Sequence, residues 1–205
     1  TLFEDDLLDF LYDSDLNAKP GGTIEVGDVL ISVFEVNDAG GSSILPDELT
    51  GVLAIQVDTI TPTGIGSFVN MTFKAYDEGL NSVLGLGTTS SNNIGTDGDA
   101  GGGAIVAMYL DPTPDLDISA TNLPVPPGSI SCNDLGACID QAVDGALWQV
   151  DGFTGEDGTP TGDEYWFANN VQQNTSIVIA TQPGIDLGTV NGGISILFNG
   201  TGEQL

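Results

Sequence analysis

The chain has 205 residues, 40% of them hydrophobic, and sets 30 acidic side chains against two basic ones, Lys19 and Lys74, for a formal net charge of −28. Two lysines cannot form the basic patch that nucleic acid requires, and the absence of arginine removes the bidentate clamp for phosphate or carboxylate substrates. The absence of histidine removes imidazole bases, Ser-His and Cys-His nucleophiles and histidine-ligated zinc, leaving chemistry by carboxylates alone or by carboxylates with a hard cation.

In chain order, residues 2–12 (LFEDDLLDFLY) place Phe3, Leu7, Phe10 and Leu11 on one helical face, with Glu4, Asp5 and Asp6 where the macrodipole favours negative charge. This predicts a short amphipathic N-terminal helix. The period then changes from 3.6 to 2. Strands are expected at 23–36, 51–59, 66–76, 104–110, 146–150, 164–168, 175–181 and 194–199. The alternation is clean over 66–76, with Val69, Met71, Phe73 and Ala75 facing one way and Asn70, Thr72 and Lys74 the other. A second helix is expected at 133–144, from the stripe Leu135, Cys138, Ile139 and Ala142.

Long Gly- and Asp-rich loops separate these elements, and the chain holds 29 glycines and 10 prolines. The pattern predicts a single mainly β domain over 1–205, an antiparallel β-sandwich or jelly roll with one or two short helices. No apolar run approaches the length of a membrane span. The first ten residues are acidic where a signal peptide would be basic, so an exported protein would be read here in processed form. Cys132 and Cys138 suit neither a redox pair nor a four-ligand metal site. A local disulfide is the preferred reading over two buried thiols, and it points to an oxidising compartment.

So many uncompensated carboxylates repel one another unless cations screen them. Between the first two elements, DSDLNAKPGGTIEVGD (13–28) sets Asp13, Asp15 and Asn17 at alternate positions. With a four-residue insertion at 18–21, Gly22 takes the turn position, Thr23 offers its carbonyl, Ile24 is the aliphatic residue, and Glu25 and Asp28 close the set. The stretch resembles an EF-hand or dockerin-type calcium loop. That resemblance implies calcium held by Asp13, Asp15, Asn17, Thr23, Glu25 and Asp28; the alternative is an Asx-rich turn. Asp97 with Asp99, and Asp111 with Asp115 and Asp117, are smaller clusters of the same spacing.

Three sequons, at Asn70, Asn174 and Asn199, are candidate glycosylation sites. Glu164, beside Tyr165 and Trp166 with Glu156 or Asp163 near it, is the one place for a glycosidase-type carboxylate pair. Its surroundings read as an exposed acidic loop, and no enzyme is expected. In overall texture the chain is similar to secreted bacterial surface or filament-forming exoproteins. That likeness implies an extracellular structural protein, self-assembling with copies of itself into a filament, surface layer or sheath and stabilised by calcium. The alternative is a calcium-dependent carbohydrate-binding module or adhesin, with Tyr109, Trp148, Tyr165 and Trp166 as platforms for glycans.

Overall fold

The computed structural model describes residues 3–19, 22–39, 48–85, 94, 103–113, 115–116, 134–173 and 189–199. The expected mainly β, antiparallel class is the one observed, with nine strands in one sheet. The strands are β1 (Phe3–Tyr12), β2 (Val29–Ala39), β3 (Glu48–Pro62), β4 (Phe68–Ala75), β5 (Ala104–Asp111), β6 (Ala146–Gly152), β7 (Tyr165–Gln172), β8 (Thr189–Gly193) and β9 (Ser195–Asn199). Among the described residues two α-helices interrupt them, α1 (Leu80–Leu84) and α2 (Leu135–Ala142). The N-cap of α2 is Asp134, whose Oδ1 accepts from the Ala137 N–H at 3.0 Å. No helix among the described residues is long and apolar enough to cross a membrane.

The N-terminal helix expected over 2–12 is replaced by a strand. β1 pairs with β2 in antiparallel register from Phe3↔Ala39 to Tyr12↔Val29. Phe10 and Tyr12, two residues apart, pack against the core. The segment satisfies both periods, and an isolated helix of this length is marginal in water. The ladder along β2, with Phe10 and Tyr12 packed on the core, therefore decides the outcome. The strand expected at 175–181 lies outside the described residues.

β3 is the branch point of the sheet. Its first half, 48–53, pairs with β5, its second half, 55–62, pairs with β4, and its opposite edge over 49–56 takes β2. Alternation along β3 feeds two hydrophobic cores. Val52 and Ala54 enter one, closed by Leu80 and Leu84 of α1 and by Cys138, Ile139 and Ala142 of α2. Leu53, Ile55 and Val57 enter the other, with Val69, Met71 and Phe73 of β4, Phe153 and Ala168 of β7. Burying an aliphatic side chain of this kind contributes about 2 kcal/mol. On the first face the row continues from Val52 through Thr50 to Glu48. Thr50 is fully buried and donates its hydroxyl to the Ala142 carbonyl at 2.7 Å, fixing the end of α2 above this row. Beyond Thr50 the apolar row ends in a carboxylate.

Candidate metal centre

The antiparallel register of β3 and β5 sets Glu48 opposite Asp111. Like charges directly opposed across strands are destabilising, and here both are 5% exposed. The chain leaves β5 at Asp111 and brings Asp115 back against the pair. One oxygen from each of Glu48, Asp111 and Asp115 lies within 4.8 Å of the others. The Asp115 N–H donates to Glu48 Oε2 at 3.4 Å, and the Thr113 N–H donates to Asp111 Oδ1 at 2.8 Å. Among the described residues, Asp111 Oδ2 is buried with no hydrogen-bond partner. Asp115 is exposed, so the group has a buried floor and a solvent side.

Burial raises the Glu48 carboxyl to about 7, against backbone hydrogen bonds from Asp115 and Leu116 and with the charges of Glu35 and Asp111 adding to the rise. Asp144, in the turn after α2, is raised as well, first by burial and then by Asp111 and Asp115. Neither lysine of the chain serves this group. Lys19 pairs with Glu25 at 3.1 Å and Asp28 at 2.7 Å, and Lys74 pairs with Asp77. A partly buried all-carboxylate group without an ammonium or guanidinium must be neutralised by protons or by a cation from outside. Its all-oxygen donor set suits a hard cation. Glu48, Asp111 and Asp115 can thus hold a metal ion.

Five of the six candidate ligands in the 13–28 loop are drawn into two separate groups, Asp13 with Asp15 and Asn17, and Glu25 with Asp28. Asp13 accepts at Oδ1 from the N–H groups of Asp15 at 3.0 Å and Asn17 at 2.9 Å, and the Asn17 amide donates to both its oxygens at 3.1 Å. These bonds pull the Asp13 carboxyl below its ordinary value, the Asn17 backbone contributing most. Asp28 instead accepts from Lys19 and from the Glu25 N–H at 2.8 Å, with Glu25 on the same ammonium. Asp15 and Thr23 are exposed. Among the described residues, the acids of this loop do not form a group of three within 4.8 Å.

Cys138 is disulfide-bonded and buried on α2; Cys132, the other cysteine of the chain, lies outside the described residues. Asn70 is exposed on β4 and accepts from the Asn170 N–H at 3.1 Å, Asn199 ends β9, and Asn174 lies outside the described residues. Asp97, Asp99 and Asp117 lie outside them too.

Glu164 gathers hydrogen-bond donors. Ser195 donates to it at 2.5 Å, the Thr154 N–H at 2.9 Å and the Thr161 N–H at 3.0 Å. Burial works to raise this carboxyl, but the hydrogen bonds prevail and lower it to about 2. Asp111 and Asp115 carried an acidic spacing visible in the sequence, whereas Glu48 had no local signal and enters through strand register. No family model, curated protein sequence or solved structure matches this chain.

Proposed function

We propose that this protein is a non-catalytic, calcium-stabilised extracellular structural subunit that assembles with copies of itself into a filament, surface layer or sheath. The observation that carries the reading is the buried, unpartnered Oδ2 of Asp111 inside a three-carboxylate group, in a chain of net charge −28 whose two lysines are engaged elsewhere. An extracellular medium supplies calcium at concentrations that fill weak sites, and a disulfide at Cys138 is at home in an oxidising compartment. Glu164, lowered to about 2, is ionised at neutral pH and has no proton to donate as a general acid.

Self-association has support at the sheet edge. Among the described strands β9 pairs with β6 alone, and its Ile196 is 59% exposed beside a part-exposed Phe198. Such an edge takes a further strand by main-chain hydrogen bonding. The test is electron microscopy and sedimentation of the native protein with calcium and with EGTA. Polymers that form with calcium and dissolve with EGTA are expected. Monomers in both conditions, with no calcium bound, would overturn the proposal.

One observation favours the carbohydrate-binding alternative. Tyr165 is 44% exposed, its ring lies against Gly193 of the neighbouring strand, and the Phe167 ring is 5.5 Å away, centroid to centroid. A Cβ at 193 would stand 3.0 Å from this ring and push it by a few tenths of an ångström, so glycine lets the ring lie flat here and offer its outer face for stacking on a sugar. Of the other aromatic residues considered, Tyr109 is fully buried and Trp166 packs on the second core. A glycan array on which the wild type binds and Tyr165→Ala does not would establish this reading.

A further inference from the structure

Resting on the calcium reading above, we infer that Asp144 is the fourth carboxylate of the Glu48–Asp111–Asp115 site, and that the ion clamps the α2–β6 turn onto the ends of β3 and β5. β6 pairs with β5 through Leu110↔Ala146, which brings the two residues before Ala146 to the end of β5. Gly145 makes the close approach possible: a Cβ there would stand 2.7 Å from the Leu110 carbonyl and 2.8 Å from the Asp111 nitrogen. The turn is thus pressed onto the last residues of β5, and Asp144 arrives beside Asp111.

The chemistry follows from that placement. The two carboxylates stand within hydrogen-bond reach of each other, yet ionised carboxylates only accept, and Asp111 Oδ2, buried in a residue 5% exposed, has no donor among the described residues. A cation supplies what both lack. Asp144 lies outside the 4.8 Å that encloses the other three acids, and it is exposed. It closes on the ion from the solvent side by rotation of its own side chain, without disturbing the core. The ion would then join segments far apart in sequence: the start of β3, the exit from β5 and the turn that follows the disulfide-bearing helix. Thr50 already holds the other end of that turn through the Ala142 carbonyl. Closing such long loops in the folded state is the arrangement in which a bound ion restricts the chain most.

The experiment measures calcium affinity by calorimetry, and terbium binding by luminescence, for wild type, Asp144→Asn, Asp111→Asn and Asp140→Asn. Asp140 is exposed on α2 and outside the group, so it controls for loss of one nearby charge. Asp144→Asn should weaken binding about tenfold, Asp140→Asn should stay within about twofold of wild type, and Asp111→Asn should abolish binding. Hydrogen exchange should show the amides at 143–146 slowed by calcium in wild type and not in Asp144→Asn. If Asp111→Asn loses the ion while Asp144→Asn keeps wild-type affinity, the clamp is overturned and the calcium site stands. Equal losses in Asp144→Asn and Asp140→Asn overturn the clamp as well, since long-range charge would explain both. If wild type takes up no ion, both readings fall.

Discussion

The 13–28 loop and the Glu48–Asp111–Asp115 group both bury carboxylate, but they differ in what stands opposite it. In the loop, Asp28 is buried and its Oδ2 receives Lys19 Nζ at 2.7 Å together with the Glu25 N–H. In the group, Asp111 is equally buried and its Oδ2 receives no hydrogen bond from the described residues. Lys19 itself shows the strength of the first arrangement: burial works to lower its pKa, but the hydrogen bonds it donates to Asp28 and Glu25 outweigh this and raise it. A chain with two basic side chains can neutralise few sites internally, and where it does not, the positive charge has to come from outside. Acidic spacing alone therefore does not mark an ion site; what separates the two regions is the presence or absence of an ammonium group within reach.

Calcium should separate them most strongly. At about a hundred times its Kd the ion stabilises a folded protein by about 2.7 kcal/mol, which for a chain of this length raises Tm by about 5–10 °C. Asp111→Asn should abolish that response while leaving the ion-free Tm equal or higher, because it removes one of two opposed charges. Differential scanning fluorimetry with calcium and with EGTA reads both effects. The converse variant, Lys19→Met, leaves Asp28 buried without its cation. Breaking a buried pair on one side costs about 3–5 kcal/mol; Lys19 retains 20% exposure, so about 2 kcal/mol is expected, or about 4–8 °C. Its calcium response should match that of wild type. If calcium instead restores the lost stability, the 13–28 loop is itself an ion site once its lysine is gone, and the contrast between the regions is one of occupancy and not of design.

How much of this was legible follows the range of each interaction. β4 could be read because Val69, Met71, Phe73 and Ala75 alternate over a half-buried strand and nothing competes with period 2. β1 could not, since Phe3, Leu7, Phe10 and Leu11 suit a helix while Phe10 and Tyr12 suit a strand, and only the partner β2 decides between them. Asp111 and Asp115 lie close enough in sequence for their spacing to be seen. Glu48 joins them through pairing of β3 with β5, a non-local event that no spacing encodes. In the 13–28 loop the oxygen-bearing residues were legible, but Lys19 sits among them and its side chain chooses Glu25 and Asp28. Position in a motif says where ligands fall and not which cation they meet.

Acidity sharpens the same contrast without any mutation. The Glu48 carboxyl, ordinarily 4.5, is raised to about 7 in the fold. Between these values the folded state holds more protons at Glu48 than the unfolded chain does, so the contribution of this group is fully present below about pH 4.5 and is lost as pH rises through about 7. In EGTA this group should cost on the order of 1–2 kcal/mol across that window, or about 3–5 °C. With calcium the slope should flatten, because binding to the carboxylates displaces the proton. Melting curves at pH 5, 6 and 7.5, with chelator and with calcium, check this. A flat ion-free profile would mean that Glu48 is already neutralised by something other than a proton.

The smallest effect belongs to the second lysine. Lys74 pairs with Asp77, but Asp77 is about half exposed and lies just past the end of β4, three residues from Lys74, so water and salt screen the contact. Lys74→Met should change stability by no more than about 0.5 kcal/mol, or about 1–2 °C. A near-silent result beside a costly Lys19→Met would locate the difference in burial of the acid and not in the count of ion pairs. Equal losses at both lysines would instead mean that each positive charge acts through the field of the whole molecule at −28, and that the local distinction between the two acidic regions is secondary. Raising the salt concentration decides between these outcomes, since a global field is screened by about 0.5 M salt while the buried Lys19–Asp28 contact is screened much less.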